Sequence, residues 1–121
     1  MGRIGKVHLK SISNRIENAE VVAVMNPSER GQSFAKNYHV SAVSDDPDIV
    51  FKNDEVDAVL ICSPSDTHAE YIHRAAQAGK AIFCEKPLDL SLPKIEEIIS
   101  VTSRHQVPLF VAFNQRFDPD F

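Results

Sequence analysis

Apolar residues in this chain come in short runs, separated by longer stretches with a helical period. The runs are VVAVM (21–25), a weaker HVSAV (39–43), DAVLIC (57–62), AIFC (81–84) and PLFVAF (108–113). Val22, Val24, Val59, Ile61 and Phe110 give them the β-branched and aromatic character of strands. DAVLIC and AIFC are apolar at successive positions rather than alternate ones, as in strands covered on both faces. Between the runs, Phe34, Ala35 and Tyr38 predict a helix over 29–38. Ile72, Ala75 and Ala76 predict one over 67–78, capped by Ser65 or Asp66 and stopped at Gly79. Ile95, Ile98, Ile99 and Thr102 predict one over 92–104, with Ser91 as its cap and Pro93 in its first turn. Asp46–Lys52 is a short helix at best. Strand–helix alternation at this pitch predicts an α/β fold with a doubly wound parallel sheet.

Composition narrows the classes without choosing one. The chain has 121 residues, 43% hydrophobic and 25% charged, enough for one domain. Its net charge of −4 and lack of a basic stripe argue against a nucleic-acid partner. Apolar runs of five or six residues are too short to span a membrane. No basic-then-apolar leader opens the chain, and the expected location is cytoplasmic. Cys62 and Cys84 each end an apolar run and read as buried thiols. There is no CxxC, and the five histidines lack metal-ligand spacing, so no metal is expected. His8, His39, His73 and His105 read as structural or solvent-facing.

Topology says where a ligand belongs. In open α/β sheets, sites lie beyond the carboxyl ends of the strands. Asn26–Ser28, Ser63–His68 and Glu85–Pro87 occupy those places. Lys86 is therefore a cation carried to a ligand edge by a buried strand. The opening MGRIG places Gly2 and Gly5 three apart at the start of a helical pattern, the back half of G-x-G-x-x-G. Such glycines let the backbone approach a pyrophosphate on a helix N-terminus. Asn26 falls 21 residues after Gly5, near the spacing of the ribose-reading position.

The combination GRIGKVH, VAVMNP, ICSPSDTH, AGKAIFCEKPLDL and FNQRFDPDF resembles the glucose–fructose oxidoreductase / inositol dehydrogenase / rhizopine-catabolism family. Within it, the resemblance is closest to the inositol 2-dehydrogenases. It runs along essentially the whole chain, 1–121, but covers only that family's Rossmann-type, NAD(P)-binding domain. It implies hydride transfer between NAD or NADP and a secondary alcohol of a cyclitol or sugar, most simply myo-inositol, in a homo-oligomer when intact.

The resemblance also implies roles. Lys86 matches the lysine that hydrogen-bonds the hydroxyl being oxidised and stabilises its developing alkoxide. Glu85 would orient it or meet the nicotinamide ribose. Pro87 would fix the backbone, often after a cis peptide bond. Gly2, Arg3 and Ile4 match the dinucleotide turn. Ser63, Pro64 and His68 match the loop along the cofactor, although a packing or capping role for His68 stays open. Asn114 and Arg116 match positions around the cofactor and substrate, with a plain surface charge as the alternative for Arg116. Asp118 and Pro119 would form the turn out of the domain.

Two departures stand out. NAD-specific members tend to carry Asp where this chain has Asn26; Asp repels a 2′-phosphate, and Asn does not. Ser28 and Arg30 lie just beyond and could meet that phosphate, so NADP is admissible. The alternative keeps Asn26 on a 2′-OH and Arg30 exposed. The second departure is length. The family's first strand and first glycine would precede Met1, and its mostly β substrate domain, with an Asp and a His of the proton relay, would follow Phe121. Without that strand, 21–25 and 57–61 each have a bare edge. The expectation is a gap, direct pairing of the two, or filling by a partner chain, with the half holding 57–62, 81–84 and 108–113 the more robust. A different class of function, a non-catalytic dinucleotide-binding or interaction module, also fits the residues. A sugar or biliverdin-type reductase is a third option.

Overall fold

The structure is a computed structural model in which residues 1–120 are described; Phe121, the last residue of the FNQRFDPDF stretch, lies outside them. The chain divides into two compact units, Met1–Asp57 and Ala58–Phe121.

In the first unit, helix α1 (Arg3–Arg15) begins directly after Gly2. Strand β1 (Ala23–Met25) pairs in parallel with β2 (Ala42–Ser44). Helix α2 (Glu29–Lys36) crosses between them, and a single turn, α3 (Asp48–Phe51), follows β2. Leu9, Ala35 and Val40 form the buried centre, with Val21, Val24, Phe34, Tyr38 and Val43 packed around it. The weak 39–43 run pairs later than its apolar residues imply. His39 takes a left-handed φ of 59°, which turns the chain out of α2 and sends Val40 into the core before the strand starts at Ala42.

The second unit has three parallel strands in the order β3 (Ala58–Ile61), β4 (Ala81–Cys84), β5 (Leu109–Val111). Helix α4 (His68–Gln77) connects β3 to β4, and α5 (Leu92–Arg104) connects β4 to β5. Along α4, His68, Ile72, Ala75 and Ala76 are all buried, an i, i+4, i+7, i+8 stripe. Ile98 and Thr102 are the buried positions of α5. Gly79, at φ 69°, ends α4: its N–H donates to Ala76 O and the Lys80 N–H donates to Ala75 O, which satisfies two terminal carbonyls.

The strand orders β2–β1 and β3–β4–β5, each within its own unit, are those of the 3-2 and the 4-5-6 parts of a 3-2-1-4-5-6 sheet. β1 and β3 belong to different sheets, each inside its own unit. The cap of α4 needs correcting, whereas that of α5 is the one expected. Residues 65–67 form a 3-10 turn, so Thr67 rather than Ser65 or Asp66 stands at the cap of α4. Ser91 stands at the cap of α5 but makes no side-chain cap bond, and its N–H donates to Asp89 Oδ1 at 2.8 Å. Among the described residues, no helix is long and apolar enough to cross a membrane.

Candidate functional site

In the first unit, the glycine turn and the carboxyl end of β1 meet. The Met1 main-chain nitrogen donates to Asn26 Oδ1 at 3.0 Å. The same oxygen accepts from Ser28 N at 3.1 Å and Ser28 Oγ at 2.9 Å. The Ser28 N–H is an obligatory donor, so the carboxamide oxygen faces inward and the amide NH2 is the half turned away. Gln32 Nε2 donates to the Asn26 carbonyl at 2.9 Å, a contact the residue pattern did not signal. Gly31 is buried against this knot, and a Cβ there would overlap both Asn26 Oδ1 and the Met1 nitrogen. Ser28 is thus the cap of α2, accepting from Gly31 N at 3.1 Å, and Arg30 is exposed in the first turn.

The same unit presents the N-terminus of α1. Gly2 has no side chain and open space around it, no side chain caps the helix, and no acidic residue lies in its first turn. Gly2, Arg3 and Ile4 are exposed. Uncapped N–H groups at the positive end of a 13-residue helix suit a bound anion. These residues fit the pyrophosphate of a dinucleotide.

In the second unit, the sheet ladder sets three loops side by side. Glu85 N donates to Ile61 O and Ala112 N donates to Cys84 O, each at 2.9 Å. The segments after β3, β4 and β5 therefore leave the sheet at the same level. Lys86 is exposed after β4, its N–H directed at Glu85 Oε2 at 3.3 Å, and the Lys86–Pro87 peptide bond is cis. After β5, Asn114–Phe117 form a 3-10 turn. Phe117 stacks on Phe110 of β5, with centroids 6.4 Å apart, and the Arg116 guanidinium lies 5.3 Å from the Phe113 ring centroid. The result is an open depression of ≈ 630 Å³ lined by Lys86, Phe113, Asn114, Gln115, Arg116 and Asp118. Lys86, Asn114 and Arg116 thus come together. Phe113 and Gln115 were not foreseen there, though their place in FNQRF after a strand end was a usable signal. Asp118 joins the lining as well as the turn.

The Ser63–His68 loop is held largely by its own atoms. Thr67 Oγ1 donates to Pro64 O at 2.7 Å and accepts from the Ser63 hydroxyl at 2.6 Å. Pro64 is exposed and Ser63 half-buried. His68 departs from the role expected of it. It is 1% exposed, and its ring nitrogens face main-chain carbonyls, Nδ1 at 3.0 Å from Pro87 O and Nε2 at 3.0 Å from Ser63 O. No ring nitrogen is left to contact a cofactor. The helical phase that puts Ile72 in the core puts His68 there too.

Burial holds both thiols in the protonated form. Burial, with the Glu85 carboxylate adding to it, pushes Cys62 up to about 12. Burial, then Cys62 and Glu85, pushes Cys84 up to about 12. Both remain protonated near neutrality. Among the described residues, no group of three or more His, Cys, Asp or Glu side chains could hold a metal ion.

A family model described as an oxidoreductase family with an NAD-binding Rossmann fold matches residues 1–113. The chain belongs to this family of glucose–fructose oxidoreductase, inositol dehydrogenase and rhizopine-catabolism proteins. Among its relatives, an inositol 2-dehydrogenase of Rhizobium meliloti is 43% identical over 121 residues, 99% of this chain and 36% of that protein. A myo-inositol 2-dehydrogenase of Thermotoga maritima is 37% identical over 122 residues, again 36% of its length. In fold, the chain is similar to the crystal structure of a Lactobacillus casei scyllo-inositol dehydrogenase with bound NAD(H) and scyllo-inositol. The TM-score is 0.93 at 34% identity, covering 98% of this chain and 36% of that one. The chain spans about a third of the length of these relatives. Its fold is the family's NAD-binding one, and NAD(P) is the cofactor that goes with it.

Proposed function

We propose that residues 1–121 form the nucleotide-binding part of a dehydrogenase that oxidises a secondary alcohol of a cyclitol or sugar, with myo-inositol the first substrate to test. One observation carries this reading: Lys86, Asn114 and Arg116 line a single depression beside the carboxyl edge of β4 and β5. An exposed ammonium beside amide and guanidinium donors, with the Asp118 carboxylate also in the lining, suits an oxygen that becomes an alkoxide. In this proposal, Lys86 donates a hydrogen bond to the reacting hydroxyl, favours its deprotonation and holds the negative charge as it grows. Asn114 and Arg116 bind neighbouring hydroxyls and fix the ring, and Asn114 also reaches the cofactor. When bound, the nicotinamide supplies the hydride acceptor. The N–H groups of Gly2, Arg3 and Ile4 would hold the pyrophosphate. Asn26, Ser28 and Arg30 would meet the adenine ribose, Ser63 and Pro64 would lie along the dinucleotide, and Glu85 would orient Lys86 or reach the nicotinamide ribose. A cytoplasmic homo-oligomer is part of the same proposal.

The test is Lys86→Met in the full-length protein, assayed with NAD+ and myo-inositol. The ammonium is needed most where charge develops, so kcat should fall at least about a hundredfold while the Kd for NADH changes little. A fall in kcat of less than about tenfold, ~1.4 kcal/mol, would leave Lys86 a bystander and favour the non-catalytic reading.

A further inference from the structure

Among the described residues, His68 is the one imidazole that lies in the core, and its place there has a consequence for Lys86. The helix fixes it from one side: it opens the buried stripe that continues through Ile72, Ala75 and Ala76. From the other side, two carbonyls face its ring. The contact to Ser63 O is local, five residues away, in a loop that Thr67 already ties through its N–H and hydroxyl to Pro64 O and through its hydroxyl to Ser63 Oγ. The contact to Pro87 O spans 19 residues and lands one residue beyond Lys86. A neutral imidazole has one N–H, so it can donate to only one of the two carbonyls.

We propose that His68 is a positioning residue for Lys86: its Nδ1–H donates to the Pro87 carbonyl and thereby fixes the backbone that aims the ammonium into the depression. Lys86 itself is exposed, and the last ladder bond before it is Glu85 N to Ile61 O. The Pro87 carbonyl provides the next anchor, on α4. A lysine has four rotatable side-chain bonds, so its backbone must be held for its ammonium to be pre-organised. The inference rests on the catalytic reading of Lys86.

Two isosteres separate the contacts. An Asn amide reaches the position of Nδ1, and a Gln amide the position of Nε2. His68→Asn keeps the donor to Pro87 O, and His68→Gln keeps only the donor to Ser63 O. In the full-length protein with NAD+ and myo-inositol, His68→Gln should lose about tenfold or more in kcat, with the NADH Kd, read by fluorescence titration, within about threefold of the parent. His68→Asn should recover most of that loss. Equal kcat in the two variants, or a Kd that weakens in step with kcat, overturns the proposal. Should either variant fail to fold, 15N NMR of the parent protein decides: the proposal requires the His68 proton on Nδ1, and a proton on Nε2 alone refutes it. Lys86→Met is measured in parallel. An unimpaired Lys86→Met sinks the catalytic reading, whereas an impaired Lys86→Met beside a fully active His68→Gln sinks only the role of His68.

Discussion

Ser28 and Asn26 lock each other: Ser28 gives both its N–H and its hydroxyl to Asn26 Oδ1, and the same hydroxyl caps α2 by accepting from Gly31 N. The carboxamide oxygen is therefore spent inside the fold. What the residue can offer a ligand is an amide NH2, a donor, where a carboxylate would offer an acceptor and a negative charge.

Asn26→Asp should therefore change cofactor choice and leave the fold intact. The inward oxygen still accepts from Ser28, and the outward NH2 becomes a carboxylate oxygen. NADPH binding should weaken relative to NADH by at least about tenfold, ~1.4 kcal/mol. Fluorescence titration of the full-length protein with each reduced cofactor gives the ratio. An unchanged ratio would mean that the 2′ position lies elsewhere. In the parent protein, a preference for NAD above about a thousandfold in kcat/KM, roughly 4 kcal/mol, would count against the roles given to Asn26 and Arg30.

Gly31→Ala should be costly at a position that looks like an ordinary helix interior. Its Cβ has no room beside Asn26 Oδ1 and the Met1 nitrogen, so the Asn26 knot must move. Overpacking of this kind costs about 1–3 kcal/mol. Urea denaturation should show that loss, and NADH affinity should fall with it because the displaced residue belongs to the proposed ribose edge.

Gln106→Gly should do the opposite. Gln106 sits just past α5 with φ 53°, where the Val107 N–H donates back to Thr102 O. It does for α5 what Gly79 does for α4, with a side chain that disfavours the left-handed conformation. Relief of that cost should raise stability by about 1 kcal/mol, visible as a higher Tm. A lower Tm would mean that the glutamine side chain makes up the difference.

Cys62 and Cys84 predict an alkaline limb in the stability curve. Both thiols are pushed from 9.0 up to about 12 in the folded protein. Below pH 9 both states keep the proton and the thiols add no slope. Between 9 and about 12 the unfolded chain releases protons that the folded one retains, so stability falls as pH rises. The double variant Cys62→Ala, Cys84→Ala should show a shallower decline over that window in urea titrations. An identical decline would mean that the thiols ionise alike in both states.

Legibility in the sequence followed how local each cause was. AIFC became β4 at the same residues, and the 92–104 pattern became α5 at the same residues, because a run of buried apolar side chains and a helical stripe are written in neighbouring positions. Lys86 could be placed at the ligand edge from the rule that parallel strands end there, whereas Asn114 and Arg116 were put beside it only by the family resemblance of FNQRF. The start of β2 and the cap of α4 were not readable: a histidine in the left-handed region and a 3-10 turn at Ser65–Thr67 follow from how the chain packs. His68 was readable in half. Its helical phase announced a buried position, but the Pro87 carbonyl that it meets is 19 residues away and has no local signature.

The flush ending of β3, β4 and β5 bears on which changes in length the chain can absorb. Each parallel strand advances roughly 3.3 Å per residue and alternates its faces. One residue inserted within Ala81–Cys84 would push Lys86 past Asn114 and Arg116 and turn it to the other side of the sheet, even with every hydrophobic contact rebuilt. Insertions at the opposite edge, in Asn53–Asp57 or His105–Pro108, would leave those three residues where they are. Variants that differ by single insertions should therefore survive at the amino ends of the strands and lose turnover when the extra residue falls between Ala81 and Lys86.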